Sequence, residues 1–297
     1  MWPTLFEIGG VRVGSYALLM VLGYAAALFV VLRLARTARE TERASGLTGH
    51  QAWDLYIVMV VASILGAKIG HVLFEAPGHI FEGERIDSLW ELLKADPLHA
   101  LRLGEGGYVW YGGLLGALLT AVVYFRRRPE LNALQYSDAF APAIMVGAAL
   151  GRFGCFLSGC CYGVPTDAAW GVAFPATDGV PVHPTQLYDA SFAAIFGLFL
   201  LWWFPRRRFD GENISLLLIG YPVARFVTES FRGDPERGHF GPLSTSQIIS
   251  VGVLVAGVAL YAWARRRRRG VGSSEGASPR GVSPTAGPSE TTGRSAG

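Results

Sequence analysis

The stretch from Gly151 to Gly163 concentrates residues that could do chemistry, because it holds Arg152, several glycines and all three cysteines of the chain. A guanidinium at membrane depth costs about 2.5–3.5 kcal/mol unless it faces a cavity or a partner. The most plentiful anion in a bilayer is a lipid phosphate, so this stretch predicts that Arg152 binds a phospholipid head group. Glycine permits close backbone approach, and we expect Gly151, Gly154 and Gly163 to bring the main chain near that head group. The simpler alternative is a glycine-rich helix exit with a snorkelling arginine.

A second polar set lies inside the apolar run 214–232. Tyr221, Arg225, Glu229 and Arg232 recur at i, i+4, i+8 and i+11, which places them on one helical face. A polar stripe on a membrane helix should face the interior of the bundle. Arg225 and Glu229 can pair, which offsets part of the cost of burying them. A structural ion pair that joins helices is the alternative to a functional site.

The segment from His183 to Asp189 opens another apolar run and holds Gln186. Pro184 suits the first turn of a helix, where its missing N–H is no loss. Asp189 can pair with a cation from another span. A lone histidine at a helix start is more often a cap or a hydrogen-bond partner than a metal ligand, and His183 is therefore predicted not to bind metal.

The cysteines Cys155, Cys160 and Cys161 have the spacing C-x4-C-C. An odd number excludes a full disulfide framework, which leaves one pair plus a free thiol, or three free thiols. Zinc would need a fourth ligand such as His183, and the spacing is not a standard one, so we predict no metal. A disulfide in an oxidising exterior is favoured over zinc, although adjacent Cys160 and Cys161 would not easily pair with each other.

Two tyrosines open apolar runs at what should be the same level of the membrane, Tyr16 and Tyr111. From position alone, Tyr16 and Trp110 are best interpreted as parts of the aromatic belt at the membrane interface. Tyr111 precedes Gly112-Gly113, and a pair of glycines allows another helix to approach closely.

The elements that must position these residues are membrane helices. The chain has 297 residues, of which 51% are hydrophobic and 16% charged, and its apolar runs recur at about the twenty residues that cross a hydrocarbon core. We predict an all-α polytopic membrane protein with about seven transmembrane helices. The predicted spans cover roughly residues 15–35, 53–74, 107–125, 136–154, 185–204, 214–232 and 245–264.

Basic residues predict the orientation of these spans. The odd-numbered spans each end in an arginine cluster, at Arg33 to Arg43, Arg126 to Arg128, Arg206 to Arg208 and Arg265 to Arg269. The positive-inside rule then gives an N-out, C-in topology with extracytoplasmic loops at 75–106 and 157–184. We interpret these clusters as topology signals and expect no nucleic-acid partner. The membrane domain is predicted to cover 1–269, followed by a disordered cytoplasmic tail at 270–297.

Together these segments resemble the prolipoprotein diacylglyceryl transferase family from about Tyr16 to Arg232. The run from His183 to Asp189 is similar to the family's His-Pro-Ser-Gln-Leu-Tyr-Glu, and seven spans with N-out, C-in topology is the family arrangement. The other matching residues are Tyr16, Gly112, Gly113, Gly151, Arg152, Gly154, Phe156, Gly163, Tyr221, Arg225 and Glu229.

This chain also departs from the family pattern. Cys155, Ser158 and Cys160 stand where the family has Asn, Asn and Glu, and Tyr111 stands where it has a histidine before the glycine pair. The residues expected to face the phosphate are kept, whereas the groups expected to handle protons differ. The chain resembles a divergent branch of the family.

The resemblance implies an enzyme of the bacterial plasma (inner) membrane that needs no cofactor. Its expected reaction moves the diacylglyceryl group of phosphatidylglycerol to the lipobox cysteine thiol of a preprolipoprotein signal peptide. Arg152 and Arg225 would stabilise the leaving phosphate, and a base must take the thiol proton. The implied base candidates are Tyr111, Glu229 and His183. The implied substrate-binding residues are Arg152, Tyr16, Gly151, Gly154, Gly163, Tyr221, His183 and Gln186.

Two other functions remain open at this point. The protein could bind or transport lipid with the same residues and without the chemistry. It could instead use Cys160 or Cys161 itself to carry a transferred group.

Overall fold

The computed structural model describes residues 4–8, 11–40, 47–74, 80–81, 84–85, 108–232, 239–241 and 243–275. Seven helices of 18 or more residues dominate these described segments. They are α1 (Ser15–Glu40), α2 (Gly49–Phe74), α3 (Trp110–Arg127), α4 (Ala133–Ser158), α5 (Thr185–Trp203), α6 (Glu212–Glu229) and α7 (Thr245–Glu275).

Five of the seven helices are long and apolar enough to cross a membrane, namely α1, α2, α4, α5 and α7. Helix α3 is shorter and ends on two arginines, and α6 carries Glu212, Arg225 and Glu229. The prediction of a mostly helical, polytopic membrane protein is therefore confirmed at this level. Helix α7 continues to Glu275, beyond the predicted start of the tail at 270, and residues 276–297 lie outside the described residues.

Short antiparallel hairpins connect several helices and were not part of the all-α prediction. The first pairs β1 (Thr4–Ile8) with β2 (Val11–Gly14), in a register that sets Phe6 opposite Val13, and it leads directly into α1. The other three pair β3 (Ile80–Phe81) with β4 (Glu84–Arg85), β5 (Val172–Ala173) with β6 (Pro181–Val182), and β7 (His239–Phe240) with β8 (Leu243–Ser244).

Helix α4 lies between two apolar clusters. On one side, Tyr136 and Ala139 pack with Val31 of α1 and with buried residues of α2. On the other side, Met145 packs with Ala193 of α5 and with α6. Since α4 contacts α1, α5 and α6, residues near one end of α4 can meet side chains from all three of those helices.

A buried polar anchor joins α4 to the start of α6. Asp138 is fully buried and accepts hydrogen bonds from the backbone N–H groups of Gly211 (2.8 Å) and Ile214 (3.0 Å). The Arg207 guanidinium lies 3.5 Å from the same carboxylate. Asp138 and Arg152 are separated by roughly 21 Å along α4, at 1.5 Å per residue. The anchor therefore lies at the other end of the helix from the candidate site.

Glycines bring α2 and α3 into backbone contact. A Cβ added at Gly112 would lie 3.1 Å from the carbonyl carbon of Gly66 and 3.2 Å from the Cα of Gly70. Small residues that allow two backbones to touch are the usual basis of helix association in lipid. The glycine pair at 112–113 thus serves the packing of α3 on α2.

This contact predicts that a glycine-to-alanine substitution changes the stability of the protein differently at two helical glycines. Gly112→Ala inserts a methyl group into a closed backbone contact, and overpacking of this kind costs about 1–3 kcal/mol. Gly252 of α7 has no atom within 4 Å of an added Cβ, and alanine there should be neutral or stabilising by up to ~1 kcal/mol. Thermal unfolding of both variants in the same detergent checks this. Equal midpoints would contradict the packing described.

Candidate active site

Arg152 lies within the last two turns of α4. The helix continues past the predicted end at 154 and closes after Ser158 at Gly159, whose φ of 71° is left-handed. The backbone N–H of Cys160 donates to the Cys155 carbonyl (3.1 Å), which completes the helix end. The side chain of Arg152 is 26% exposed and lies on a helix that three others contact.

Asp189 in the first turns of α5 joins the two predicted arginines. Its Oδ2 lies 3.3 Å from Nε of Arg152 and 3.7 Å from Nη1 of Arg225. Sequence alone predicts one cation partner for Asp189, and the structure gives it two. The structure therefore brings Arg152 of α4 and Arg225 of α6 together around one carboxylate.

The rest of the predicted stripe continues this group. Nη2 of Arg225 lies 2.6 Å from Oε2 of Glu229, whose side chain is 4% exposed, and the Ser244 hydroxyl donates to Oε1 of Glu229 at 3.2 Å. Arg232 follows the end of α6 and lies within electrostatic range of Arg225. We call Arg152, Asp189, Arg225, Glu229 and Arg232 the arginine cluster.

The arginine cluster brings guanidiniums from two helices to one carboxylate, because Arg152 and Arg225 both contact Asp189. Among the described residues, the buried Nη1 of Arg225 has no hydrogen-bond partner, and neither has the buried Oε1 of Gln186. Tyr221 lies within electrostatic range of Arg152. A buried guanidinium N–H without a hydrogen-bond partner, next to a second guanidinium, suits the binding of an anion with several oxygens, such as a phosphate.

The three cysteines lie together beside the arginine cluster, which their spacing did not predict. All are free, and the Sγ atoms of Cys155, Cys160 and Cys161 lie within 4.8 Å of one another. The thiols of Cys155 and Cys160 hydrogen-bond to the Cys161 sulfur and, with the guanidinium of Arg232, lower the pKa of Cys161. His183, considered above as a possible fourth zinc ligand, is not part of this group.

The turn that carries Cys160 and Cys161 is held by the start of α5. The Gln186 side chain donates from Nε2 to the Cys160 carbonyl (2.6 Å), and the Thr185 hydroxyl donates to the Cys161 carbonyl (2.9 Å). Both side chains are almost fully buried. The amide N–H of Gln186 fixes the cysteine turn, and the predicted contact of Gln186 with substrate stays a prediction.

The start of α1 packs on the cysteine motif. A Cβ added at Gly154 would lie 3.4 Å from the ring of Tyr16, and one at Gly151 would lie 3.3 Å from the sulfur of Met20. Tyr16 also lies within electrostatic range of all three cysteines. These contacts place α1 beside both glycines, and their predicted role in bringing the main chain near a lipid head group stays a prediction.

Gly163 and His183 hold the loop that follows the motif. The Gly163 N–H donates to the His183 carbonyl (2.8 Å), and an added Cβ would lie 2.9 Å from the Cβ of His183. The His183 ring packs on Phe231 at 5.1 Å, and its Nδ1 lies 3.0 Å from the hydroxyl of Tyr188. Gly163 therefore packs against the segment that leads into α5, and its predicted place near the lipid head group stays a prediction.

Tyr111 is not brought into the arginine cluster. Its side chain is 44% exposed, and its ring contacts Trp110 at 5.2 Å. Within the described segments, no hydrogen bond or ion pair links Tyr111 to the cluster. The reason is the packing of α3, which lies mainly against α2 through Gly112, whereas the cluster is built on α4, α5 and α6.

Comparison with known proteins gives a consistent result over most of the chain. A family model described as prolipoprotein diacylglyceryl transferase matches residues 3–263. A Clostridium perfringens protein named phosphatidylglycerol–prolipoprotein diacylglyceryl transferase 2 is 34% identical over 262 residues, which cover 87% of this chain and 93% of that protein.

Two proteins named phosphatidylglycerol–prolipoprotein diacylglyceryl transferase are similarly related. The one from Pseudoalteromonas atlantica is 34% identical over 277 residues, or 90% of each chain. The one from Vibrio vulnificus strain YJ016 is 33% identical over 268 residues, or 89% of this chain and 92% of that protein. This chain belongs to the prolipoprotein diacylglyceryl transferase family.

Proposed function

We propose that this protein transfers the diacylglyceryl group of phosphatidylglycerol to the lipobox cysteine thiol of preprolipoproteins. The observation that carries the proposal is the meeting of Arg152 and Arg225 around Asp189, at the end of the helix bundle. The names of the relatives support the same lipid and protein substrates.

The chemistry explains why guanidiniums are needed. The acceptor thiolate is the nucleophile, and its sulfur forms a bond to the glycerol carbon as the bond from that carbon to the phosphate oxygen breaks. The electron pair leaves with glycerol phosphate, whose phosphate gains a second negative charge. Arg152 and Arg225 can stabilise this developing charge in a site with little water. The products are a thioether-linked lipoprotein precursor and glycerol phosphate.

Other residues have proposed roles around this centre. Tyr16 and Tyr221 would orient the glycerol oxygens of the lipid. Glu229 is the base candidate inside the arginine cluster, whereas His183 lies on the adjoining loop and Tyr111 lies on α3. We therefore assign the thiol proton to Glu229.

We further propose that all seven helices cross the bacterial inner membrane, with the N-terminus outside and the C-terminus inside. The runs of arginines near the C-terminal ends of α1, α3 and α5, and the run Arg265 to Arg269 within α7, support this orientation through the positive-inside rule. The arginine cluster of the site would then face the extracytoplasmic leaflet. A membrane domain at 1–269 and a cytoplasmic tail at 270–297 complete the proposed organisation.

Complementation tests the proposed function in cells. We expect the wild-type chain to restore growth to a bacterium depleted of its own diacylglyceryl transferase and to restore lipid-modified prolipoprotein on gels. An empty vector provides the baseline, and immunoblotting of membranes verifies that the protein is present. Abundant membrane protein without growth or modified prolipoprotein would contradict the proposal and favour a lipid-binding role.

A further inference from the structure

We propose that Cys155, Cys160 and Cys161 form a three-thiolate site for Zn²⁺ whose fourth coordination position takes the acceptor cysteine. The assignment of the fourth position to the acceptor cysteine rests on the proposed transfer reaction, whereas the three-thiolate zinc site does not. The C-x4-C-C spacing predicts no metal, because it is not a standard zinc pattern and a closed site would need a fourth ligand such as His183. A fourth protein ligand is unnecessary in a catalytic zinc site, which has three protein ligands and one open position.

The distances between the sulfur atoms suit a tetrahedral ion. Zinc–sulfur bonds of ~2.3 Å separate two sulfurs by about 3.8 Å in tetrahedral geometry. The three Sγ atoms already lie within 4.8 Å of one another. Rotation of cysteine side chains that are free of disulfides can close the remaining gap of ~1 Å without movement of the backbone.

The backbone of the turn is arranged to direct two adjacent thiols toward a third. Gly159 has a φ of 71° and Cys161 a φ of 64°, and a left-handed conformation at a non-glycine residue costs roughly 1–3 kcal/mol. The bonds from Thr185 and Gln186 to the carbonyls of Cys161 and Cys160 hold this conformation. A strained turn fixed by buried side chains indicates a defined position for its thiols.

Two guanidiniums lie near the sulfur atoms of the proposed site. Arg152 lies within electrostatic range of Cys155 and Cys161, and Arg232 lies beside Cys161. Three thiolates and one Zn²⁺ carry a net charge of minus one, which these guanidiniums can balance. Thiolate ligands are soft and select Zn²⁺ over Mg²⁺ or Ca²⁺.

A zinc ion here would also supply what the proposed reaction needs. A free cysteine thiol has a pKa of about 8.5, so it is mostly protonated at neutral pH. A thiol that coordinates a metal ion is deprotonated outright. The acceptor S–H would lose its proton to Glu229 as its sulfur binds zinc. The sulfur would then attack the glycerol carbon, with the electron pair of the broken carbon–oxygen bond leaving on the phosphate.

The metal content of the full-length protein tests the site without any activity measurement. We expect wild-type protein, purified in detergent from zinc-supplemented cells without chelator, to contain one zinc per chain by plasma mass spectrometry. Cys160→Ser removes an exposed ligand, so it should fold and lose nearly all zinc. Ser158→Ala is the matched control in the same helix turn, and it should keep the metal.

Cobalt provides a second readout and links the metal to the acceptor. Replacement of zinc by Co²⁺ should give the intense visible bands of tetrahedral cobalt thiolate, and addition of a lipobox peptide should change them. A peptide with serine in place of its cysteine should leave the bands unchanged. A spectrum that the cysteine-containing lipobox peptide leaves unchanged would overturn the assignment of the fourth position.

The remaining outcomes separate this inference from the proposed function. Reduced wild-type protein that binds no zinc, or transferase activity that persists in zinc-free protein, would overturn the inference and leave the transfer reaction intact. Stoichiometric zinc in a protein that shows no transfer would support the metal site and contradict the proposed function.

Discussion

Replacing Arg152 by alanine is expected to lower the rate of diacylglyceryl transfer by at least ~10²–10³-fold, the usual effect of removing one positioned charge stabiliser. The guanidinium lies 3.3 Å from Asp189 and faces the site from α4. Its loss would remove one of the two guanidiniums proposed to stabilise the negative charge that develops on the leaving phosphate. The measurement is transfer from labelled phosphatidylglycerol to a lipobox peptide in membranes.

Two further variants separate charge from geometry in this experiment. Arg152→Lys keeps the positive charge and loses the planar pair of donors, so its rate should lie between those of wild type and Arg152→Ala. Arg206 is an exposed arginine that stacks on Trp202 at the other end of the bundle, and Arg206→Ala should transfer at the wild-type rate. Wild-type rates in Arg152→Ala would refute the role assigned to Arg152.

Arg225→Met is expected to destabilise the protein as well as inactivate it. Arg225 and Glu229 form a buried pair at 2.6 Å, with side chains 13% and 4% exposed. Breaking a buried pair by removing one partner costs about 3–5 kcal/mol, because the other charge remains buried without compensation. The thermal unfolding midpoint in detergent should therefore fall together with the transfer rate.

The double variant Arg225→Met/Glu229→Met distinguishes the two effects. With both charges replaced by apolar side chains, most of the lost stability should return, since such replacements are often neutral. Transfer should not return, because the phosphate-binding guanidinium is still absent. Recovery of both stability and transfer in the double variant would show that Arg225 is only a structural residue.

The helical framework follows from the sequence because membrane helices are long, apolar and bounded by arginines. Predicted spans such as 185–204 differ from the observed helix, Thr185–Trp203, by little. The arginine stripe was also predictable, because Tyr221, Arg225 and Glu229 recur at helical spacing. Arg232 was predicted to share this helical face, but α6 ends at Glu229 and Arg232 lies beyond the end of the helix.

Contacts between distant segments were much less accessible from the sequence. The proximity of the three thiols depends on the left-handed φ of Cys161, which propensity does not predict for a cysteine. The bridge through Asp189 depends on how α5 packs against α4 and α6. The sequence also does not predict which helix packs on the glycines, because only the structure shows that α1 covers Gly151 and Gly154.

Product analysis with purified components tests the central claim most directly. The protein would be incubated with phosphatidylglycerol labelled in its head-group glycerol and with a lipobox peptide. We predict a peptide whose mass rises by one diacylglyceryl group and an equal amount of released labelled glycerol phosphate. A peptide that stays unmodified, or one that gains mass without release of glycerol phosphate, would contradict the account.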